Sequence, residues 1–242
     1  MAVVAEMIES QKISQRMEAA SHKPVYILQQ NCQKSEVAWY ATLESGLELG
    51  ADLVLIQEPP TFQGYSHRGY YLHSKRGGGR AMTAVRISAN LQYEVREDLG
   101  DEADGDLVIL DILLPERLRI VNIYNQKIFR DRKQINIRPA ENAQWDNIID
   151  NRCVIAGDFN AHSPRWGSEY SRDSRYWEDL MDNYNMDYVA DGKPTRFNSI
   201  IDLVLATSSV ICKAEIVDDE RHATKIRTHN TPRVFSGSSI SP

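Results

Sequence analysis

Residues 153–167 read Cys-Val-Ile-Ala-Gly-Asp-Phe-Asn-Ala-His-Ser-Pro-Arg-Trp-Gly. The first four are an unbroken apolar run. The next six, Gly157-Asp158-Phe159-Asn160-Ala161-His162, turn abruptly polar. A short apolar run stopped by turn-forming residues predicts a strand buried on both faces, as in sheets covered by helices. Polar side chains directly after such a strand lie where α/β sheets hold their ligands, because loops can converge there without interrupting the ladders.

Working outward, the pattern repeats. Val25 to Leu28 predicts a buried strand that runs out at Gln29-Gln30-Asn31. Ser35 to Leu49 predicts a helix, with Ser35 as N-cap and an end near Gly50. Leu53 to Ile56 is a second buried strand, stopped by Glu58-Pro59-Pro60. The strand–helix–strand order predicts a parallel pair. Ala81 to Ile87, Leu91 to Glu97, Leu107 to Leu114 and Leu118 to Tyr124 predict an antiparallel meander with its tightest turn at Pro115-Glu116. Helices are predicted over Ala140 to Ile149 and Ser174 to Tyr184, and late strands over Ile200 to Leu205 and Cys212 to Val217. The fold class is therefore α/β, with mixed sheets covered by helices in one domain spanning 24–234. Residues 1–23 are expected to be a leader, a frayed helix at most, and 235–242 a disordered tail.

Composition narrows the function. The chain has 242 residues, with 28 Lys and Arg against 34 Asp and Glu, so a formal net charge of -6. A general basic coat for nucleic acid is excluded, and any polyanion has to be gripped by local patches. Two such patches exist: Lys75-Arg76-Gly77-Gly78-Gly79-Arg80, and the stretch with Arg130, Arg132, Lys133 and Arg138. The first lacks the Lys-Ser/Thr ending of a P-loop. Three dispersed cysteines argue against a disulfide framework and fit a reducing compartment. The longest nearly uncharged stretch, Asn198 to Cys212, is interrupted by Asp202 and too polar to span a bilayer.

Five tips carry chemistry-bearing residues: Asn31, Glu58, Tyr124-Asn125, Asp158-Phe159-Asn160, and Asp202 inside the late strand. Taken alone, Glu58 reads as a solvated turn residue and Asn31 as a strand-terminating cap, and Tyr124 reads equally as a core aromatic with its hydroxyl at the rim; Asp158 with Asn160 could form an Asx turn, but the distinctive six-residue block puts function ahead there. Asp202 in an apolar strand is costly unless paired. His162 and Trp166 brace the loop, and His67 and His73 are surface residues.

The blocks ILQQN ending at Asn31, LIQEP with Glu58, VNIYN with Tyr124, GDFNAH, KPTRF and SIIDLVLAT with Asp202 occur in a fixed order across about residues 25–230. In this the chain resembles the endonuclease/exonuclease/phosphatase superfamily, and within it the apurinic-type endonuclease domain of LINE-type (non-LTR) retrotransposons. The resemblance implies a four-layered α/β sandwich of two mixed β-sheets flanked by helices. It implies a DNA-nicking phosphodiester hydrolase using Mg²⁺ or Mn²⁺, with a reverse transcriptase domain following in an intact element. It also implies a monomer, and nuclear localisation in a eukaryotic host. By motif position Glu58 and Asn31 belong to the metal site, and Asp158 with Asn160 activates water. Tyr124 contacts the phosphate, and Asp202 orients a catalytic histidine. Lys75, Arg76, Arg80, Arg130 and Lys133 would face the nucleic acid. The residue types suit this chemistry: a hard cation on carboxylate oxygen offsets phosphodiester charge, and a further carboxylate serves as base.

The family's last block, Ser-Asp-His before a closing strand, is altered. His229 in Thr228-His229-Asn230 is the first candidate for the histidine. In the second register, DDERHAT is the lead-in and the block after Thr224 has lost its histidine; His222 is the fallback. The competing functions are a phosphatase or RNA exonuclease of the same superfamily, and a catalytically dead remnant that only binds nucleic acid.

Overall fold

In the computed structural model, the described residues are 24–61, 64–75, 79–100, 103, 105–126, 129, 130, 133, 134, 139–169, 174–189, 200–217 and 223–229; for 129, 130, 133, 134, 139 and 229 only the backbone is described. The expected leader, the tail and KPTRF lie outside them, as do Arg76 and His222 and the side chains of Arg130 and Lys133.

Fourteen strands are described: β1 (Val25–Asn31), β2 (Leu53–Gln57), β3 (Tyr70–Ser74), β4 (Ala81–Arg86), β5 (Tyr93–Val95), β6 (Leu107–Ile112), β7 (Leu118–Tyr124), β8 (Phe129–Arg130), β9 (Lys133–Gln134), β10 (Cys153–Asp158), β11 (Met186–Tyr188), β12 (Asp202–Thr207), β13 (Ile211–Ile216) and β14 (Thr224–His229). Two six-stranded mixed sheets form, in the orders β13-β14-β1-β2-β4-β3 and β11-β12-β10-β7-β6-β5. β1 and β2 are parallel, as are β7 and β10.

The sheets pack face to face and helices cover their outer faces. Helix α1 (Glu36–Glu48) starts at Ser35, whose hydroxyl accepts the Ala38 N–H. It buries Trp39 and Leu43 against Leu28, Val54, Ile56 and Met82. The single turn α2 (Trp145–Ile148) and helix α3 (Arg175–Asn183) bury Trp145, Trp177, Leu180 and Met181 against Val121, Ile155 and Leu203. Between the sheets lie Val25, Ile27, Leu53, Leu55, Ile120, Val154, Ala156 and Val204. Because side chains alternate along a strand, the next positions facing between the sheets are Gln29 and Asn31, Gln57, Asn122 and Tyr124, and Asp158. The apolar inner face thus becomes polar at one end of every central strand.

Several expectations need correction. β1 includes the Gln29-Gln30-Asn31 stretch at which the sequence pattern runs out. It continues through Asn31, because β14 supplies ladder partners as far as Gln29 and β2 as far as Asn31. The four-strand meander is really three strands, β5 to β7; Ala81 to Arg86 pairs instead with β2 and β3 in the other sheet. Ala140 to Ile149 is not one helix but a 3₁₀ turn (Pro139–Asn142) followed by α2. Asp202 opens β12 rather than sitting inside it. Neither His67 nor His73 is a plain surface residue. His67 bonds Glu44 at 3.1 Å and stacks near Tyr70, and His73 bonds the Tyr93 hydroxyl at 2.9 Å.

Buried charge pins β6 to β7. Asp111 receives Arg119 Nε at 2.7 Å, Arg119 Nη2 at 2.8 Å and Arg96 Nη1 at 2.8 Å. Burial alone would push the Asp111 carboxyl up, but these guanidinium donors outweigh it and hold it below its usual range. A depressed folded-state value means the contribution is present above the unfolded aspartate range, about pH 4, and is lost as pH falls through the folded value. Asp111→Ala, which leaves the buried Arg119 guanidinium without its carboxylate, is expected to cost about 3 kcal/mol. Urea unfolding at neutral pH checks this, and the difference from the unsubstituted chain should shrink in acid.

Candidate active site

Asp158 closes β10 and pairs in register with Tyr124 of β7 on one side and Asp202 of β12 on the other. Its two oxygens are both engaged: Asn31 Nδ2 donates to Oδ2 at 2.9 Å and the Asn160 backbone N–H to Oδ1 at 2.9 Å. Asn31 comes from the opposite sheet, so this bond joins the two layers at their tips. The Asn31 amide is itself oriented, because its oxygen accepts the Gln33 N–H at 2.8 Å.

Glu58 follows β2 directly. Its backbone is left-handed, with φ +47°. That conformation costs a residue with a Cβ about 1 kcal/mol or more. Two backbone bonds hold it: Glu58 N–H donates to Arg80 O at 2.8 Å, and its carbonyl accepts Lys34 N–H at 2.8 Å. The resulting bend sends the carboxylate toward the second sheet, where the Tyr124 hydroxyl donates to Glu58 Oε1 at 2.8 Å. Tyr124 is thus no idle core aromatic. Burial first, and then the Glu58 carboxylate it faces, push its phenol far above the usual tyrosine range, so it stays a neutral donor. Glu58 and Asp158 therefore meet at one sheet end, through Tyr124, which bonds the first and pairs with the second.

The loop after β10 is braced around them. Asn160, also left-handed at φ +50°, donates from Nδ2 to Asn125 O at 3.2 Å, and Asn125 Nδ2 donates to Phe159 O at 2.8 Å. Trp166 donates to Ala161 O, as a bracing role requires. Asp202 Oδ1 accepts Gln29 Nε2 at 3.3 Å. Gln29 pairs with Thr224, the first residue of β14.

That register overturns the reading of His229 as the site histidine. β14 runs antiparallel to β1, so Thr224 lies beside Gln29 near the site while Thr228 lies beside Val25 at the far end. His229 is one residue further away, opposite Ile211. The strand meant to follow the histidine begins at Thr224, and the histidine just ahead of it in sequence is His222.

Of the basic candidates, Arg80 stands beside Glu58 through its backbone, and its guanidinium donates to the buried Asp106. Lys75 is exposed and lines an open cavity of about 610 Å³, two strands away from Glu58 in the sheet order. Burial pushes the Cys32 thiol, next to Asn31, up to about 11, which removes it as a nucleophile at neutral pH. Asp106, Gln29, Gln57 and Asn122 carried no distinguishing signal in the sequence beyond interrupting or adjoining apolar runs.

Residues 118–227 match the family described as endonuclease-reverse transcriptase. A search of curated proteins found no match. The endonuclease domain of TRAS1, a telomere-specific non-LTR retrotransposon, is 20% identical, with 86% of this chain and 98% of that one covered at a TM-score of 0.68. An AP endonuclease from Archaeoglobus fulgidus is 15% identical, with 86% and 100% covered at a TM-score of 0.57. The AP endonuclease LMAP from Leishmania major is 13% identical, with 87% and 89% covered at 0.56. At these identities the structural likeness is one of fold.

Proposed function

We propose that this chain, which has the fold of these nucleases and over residues 118–227 matches the endonuclease-reverse transcriptase family, is a metal-dependent phosphodiester hydrolase that nicks DNA. The observation that carries the reading is the convergence of Glu58, Tyr124, Asn31, Asp158 and Asn160 from both sheets onto one end of the sandwich.

The donor set suits a hard divalent cation. Among the described residues no three His, Cys, Asp or Glu side chains gather as a cage. Mg²⁺ needs none, since it keeps several waters and takes one or two carboxylates. Glu58 would hold it, with one oxygen fixed by Tyr124, and the cation would supply charge neutralisation at the phosphate. Asn31 aims Asp158, which would accept the proton of an attacking water. Asn160 and Asn125 set the loop that keeps this carboxylate in place. Asp202 would orient His222, which donates toward the developing phosphorane charge. Arg80, its guanidinium paired with Asp106, would border the site, while Lys75, Arg76, Arg130 and Lys133 would meet the DNA backbone further out. Reverse transcriptase is the expected covalent neighbour in an intact element.

The test is relaxation of supercoiled plasmid with Mg²⁺. Glu58→Gln should lower nicking about 10²-fold, and chelation of the metal should abolish it. Release of inorganic phosphate from small esters without nicking would instead favour a phosphatase. His222→Ala should cost about 10²-fold in rate and His229→Ala less than about threefold. The reverse order would restore His229 and require β14 to be re-registered.

A further inference from the structure

Beneath the site runs a chain of three buried amides that belongs to neither the metal site nor the hydrophobic core. Asn122 of β7 donates from Nδ2 to the carbonyl of Met82 at 2.7 Å. With its NH₂ committed to backbone carbonyls, its oxygen is left as acceptor, and Gln57 Nε2 donates to it at 2.6 Å. Gln57 Oε1 in turn accepts Gln29 Nε2 at 2.6 Å, and the same Gln29 nitrogen donates to Asp202 Oδ1 at 3.3 Å. The three amides are essentially fully buried.

The direction of this chain is what matters. A buried amide can be flipped only if its partners tolerate the exchange of donor for acceptor. Here Met82 O is an acceptor that cannot donate, so every amide downstream has one orientation. Each amide donates back toward Met82, Gln57 to Asn122 and Gln29 to Gln57, and the second hydrogen of Gln29 is left to face the Asp202 carboxylate. The chain also crosses the interface twice, from β7 to β2 and from β1 to β12. A spacer serving only to fill the interface could be apolar, as it is a few residues further along these same strands. Three satisfied amides terminating on Asp202 define where that carboxylate sits relative to β1, and hence to the entry of β14 beside Gln29.

We propose that Gln29, with Gln57 and Asn122 behind it, is a positioning residue that holds the Asp202 carboxylate in the orientation the reaction needs. This rests on the nuclease reading and deepens it. Gln29 touches neither substrate nor metal; it acts through Asp202.

The test is a double-substitution cycle on plasmid nicking, using Gln29→Met and Asp202→Asn. Gln29→Met keeps the side-chain length and removes the donor. It should lower kcat about ten- to a hundredfold, the range found for partners behind catalytic groups, with KM within about twofold. In the Asp202→Asn background the same substitution should cost less than about twofold, because its route to the chemistry is already broken. An equal loss in both backgrounds, or no loss in either, overturns the proposal while leaving Glu58-dependent nicking intact. A second readout covers a Gln29→Met chain that fails to fold, or a parent chain that does not nick. The ¹H–¹⁵N side-chain signals of Gln29 should move on Asp202→Asn if the amide faces that carboxylate. Unmoved signals overturn the proposal independently of activity.

Discussion

Asp158→Asn should reduce single-turnover nicking about 10³-fold or more at saturating Mg²⁺, with folding retained and KM little changed. The size of the effect follows from two separate losses. The first is chemical: an amide cannot accept the water proton at working pH. The second is geometric. Both Asp158 oxygens face N–H donors, the Asn31 side chain at one and the Asn160 backbone at the other, each at 2.9 Å. Whichever way an asparagine turns, its NH₂ meets a donor. Either Asn31 must rotate, which also breaks its bond from Gln33, or the loop at Asn160 must shift. A substitution that alters one atom thus disturbs both sheets at their meeting point. A rate within about tenfold of the unsubstituted chain would remove Asp158 from the reacting centre and leave Glu58 without a base in reach.

The same geometry explains which parts of the site could be read from the chain. Asn31, Glu58, Tyr124, Asp158 and Asp202 each stand where an apolar run turns polar, and the five tips do lie at one end of two packed sheets. Gln29 and Gln57 stand at the same kind of position, but glutamine next to an apolar run is equally well explained as a strand ending in solvent. Their burial depends on inner-face registry between two sheets, which no local pattern encodes. His229 was misplaced for a related reason. β14 has only Ile226 as a strong apolar residue, flanked by Lys225 and Arg227, so its strand is recruited by pairing with β1 and β13 rather than by its own propensity. Without the strand, the distance from His229 to the site could not be judged. The grouping of Ala81 to Arg86 with the later strands failed similarly. Alternation announces a strand but not its neighbour, and β4 lies between β2 and β3 in the first sheet while β5 to β7 form one side of the second.

Gly157→Ala is expected to abolish stable folding, at a cost above about 4 kcal/mol. In the sequence this glycine looks like an ordinary prelude to a turn. In the structure it lies at the penultimate pair of the β7–β10 ladder, opposite Ile123, with φ +147°. A Cβ there would stand 2.0 Å from the Ile123 carbonyl oxygen and 2.9 Å from its carbonyl carbon. Those are backbone atoms in a central strand, so no side-chain rotation relieves the overlap. Gly50→Ala serves as the comparison. Gly50 also has positive φ, +70°, but nothing lies within 4 Å of a Cβ built on it. It should therefore cost only the left-handed backbone penalty, about 1 kcal/mol. Urea denaturation of the two variants separates conformational strain from steric exclusion. The contrast bears on function because Tyr124 and Asp158 are the next pair along the same ladder. The close approach at Gly157 brings β7 against β10 just before the strands deliver their phenol and carboxylate to the rim. A Gly157→Ala chain that folds within about 1 kcal/mol of the parent would mean that these strands can part there, and the register uniting Glu58's partner with Asp158 would lose its main steric guarantee.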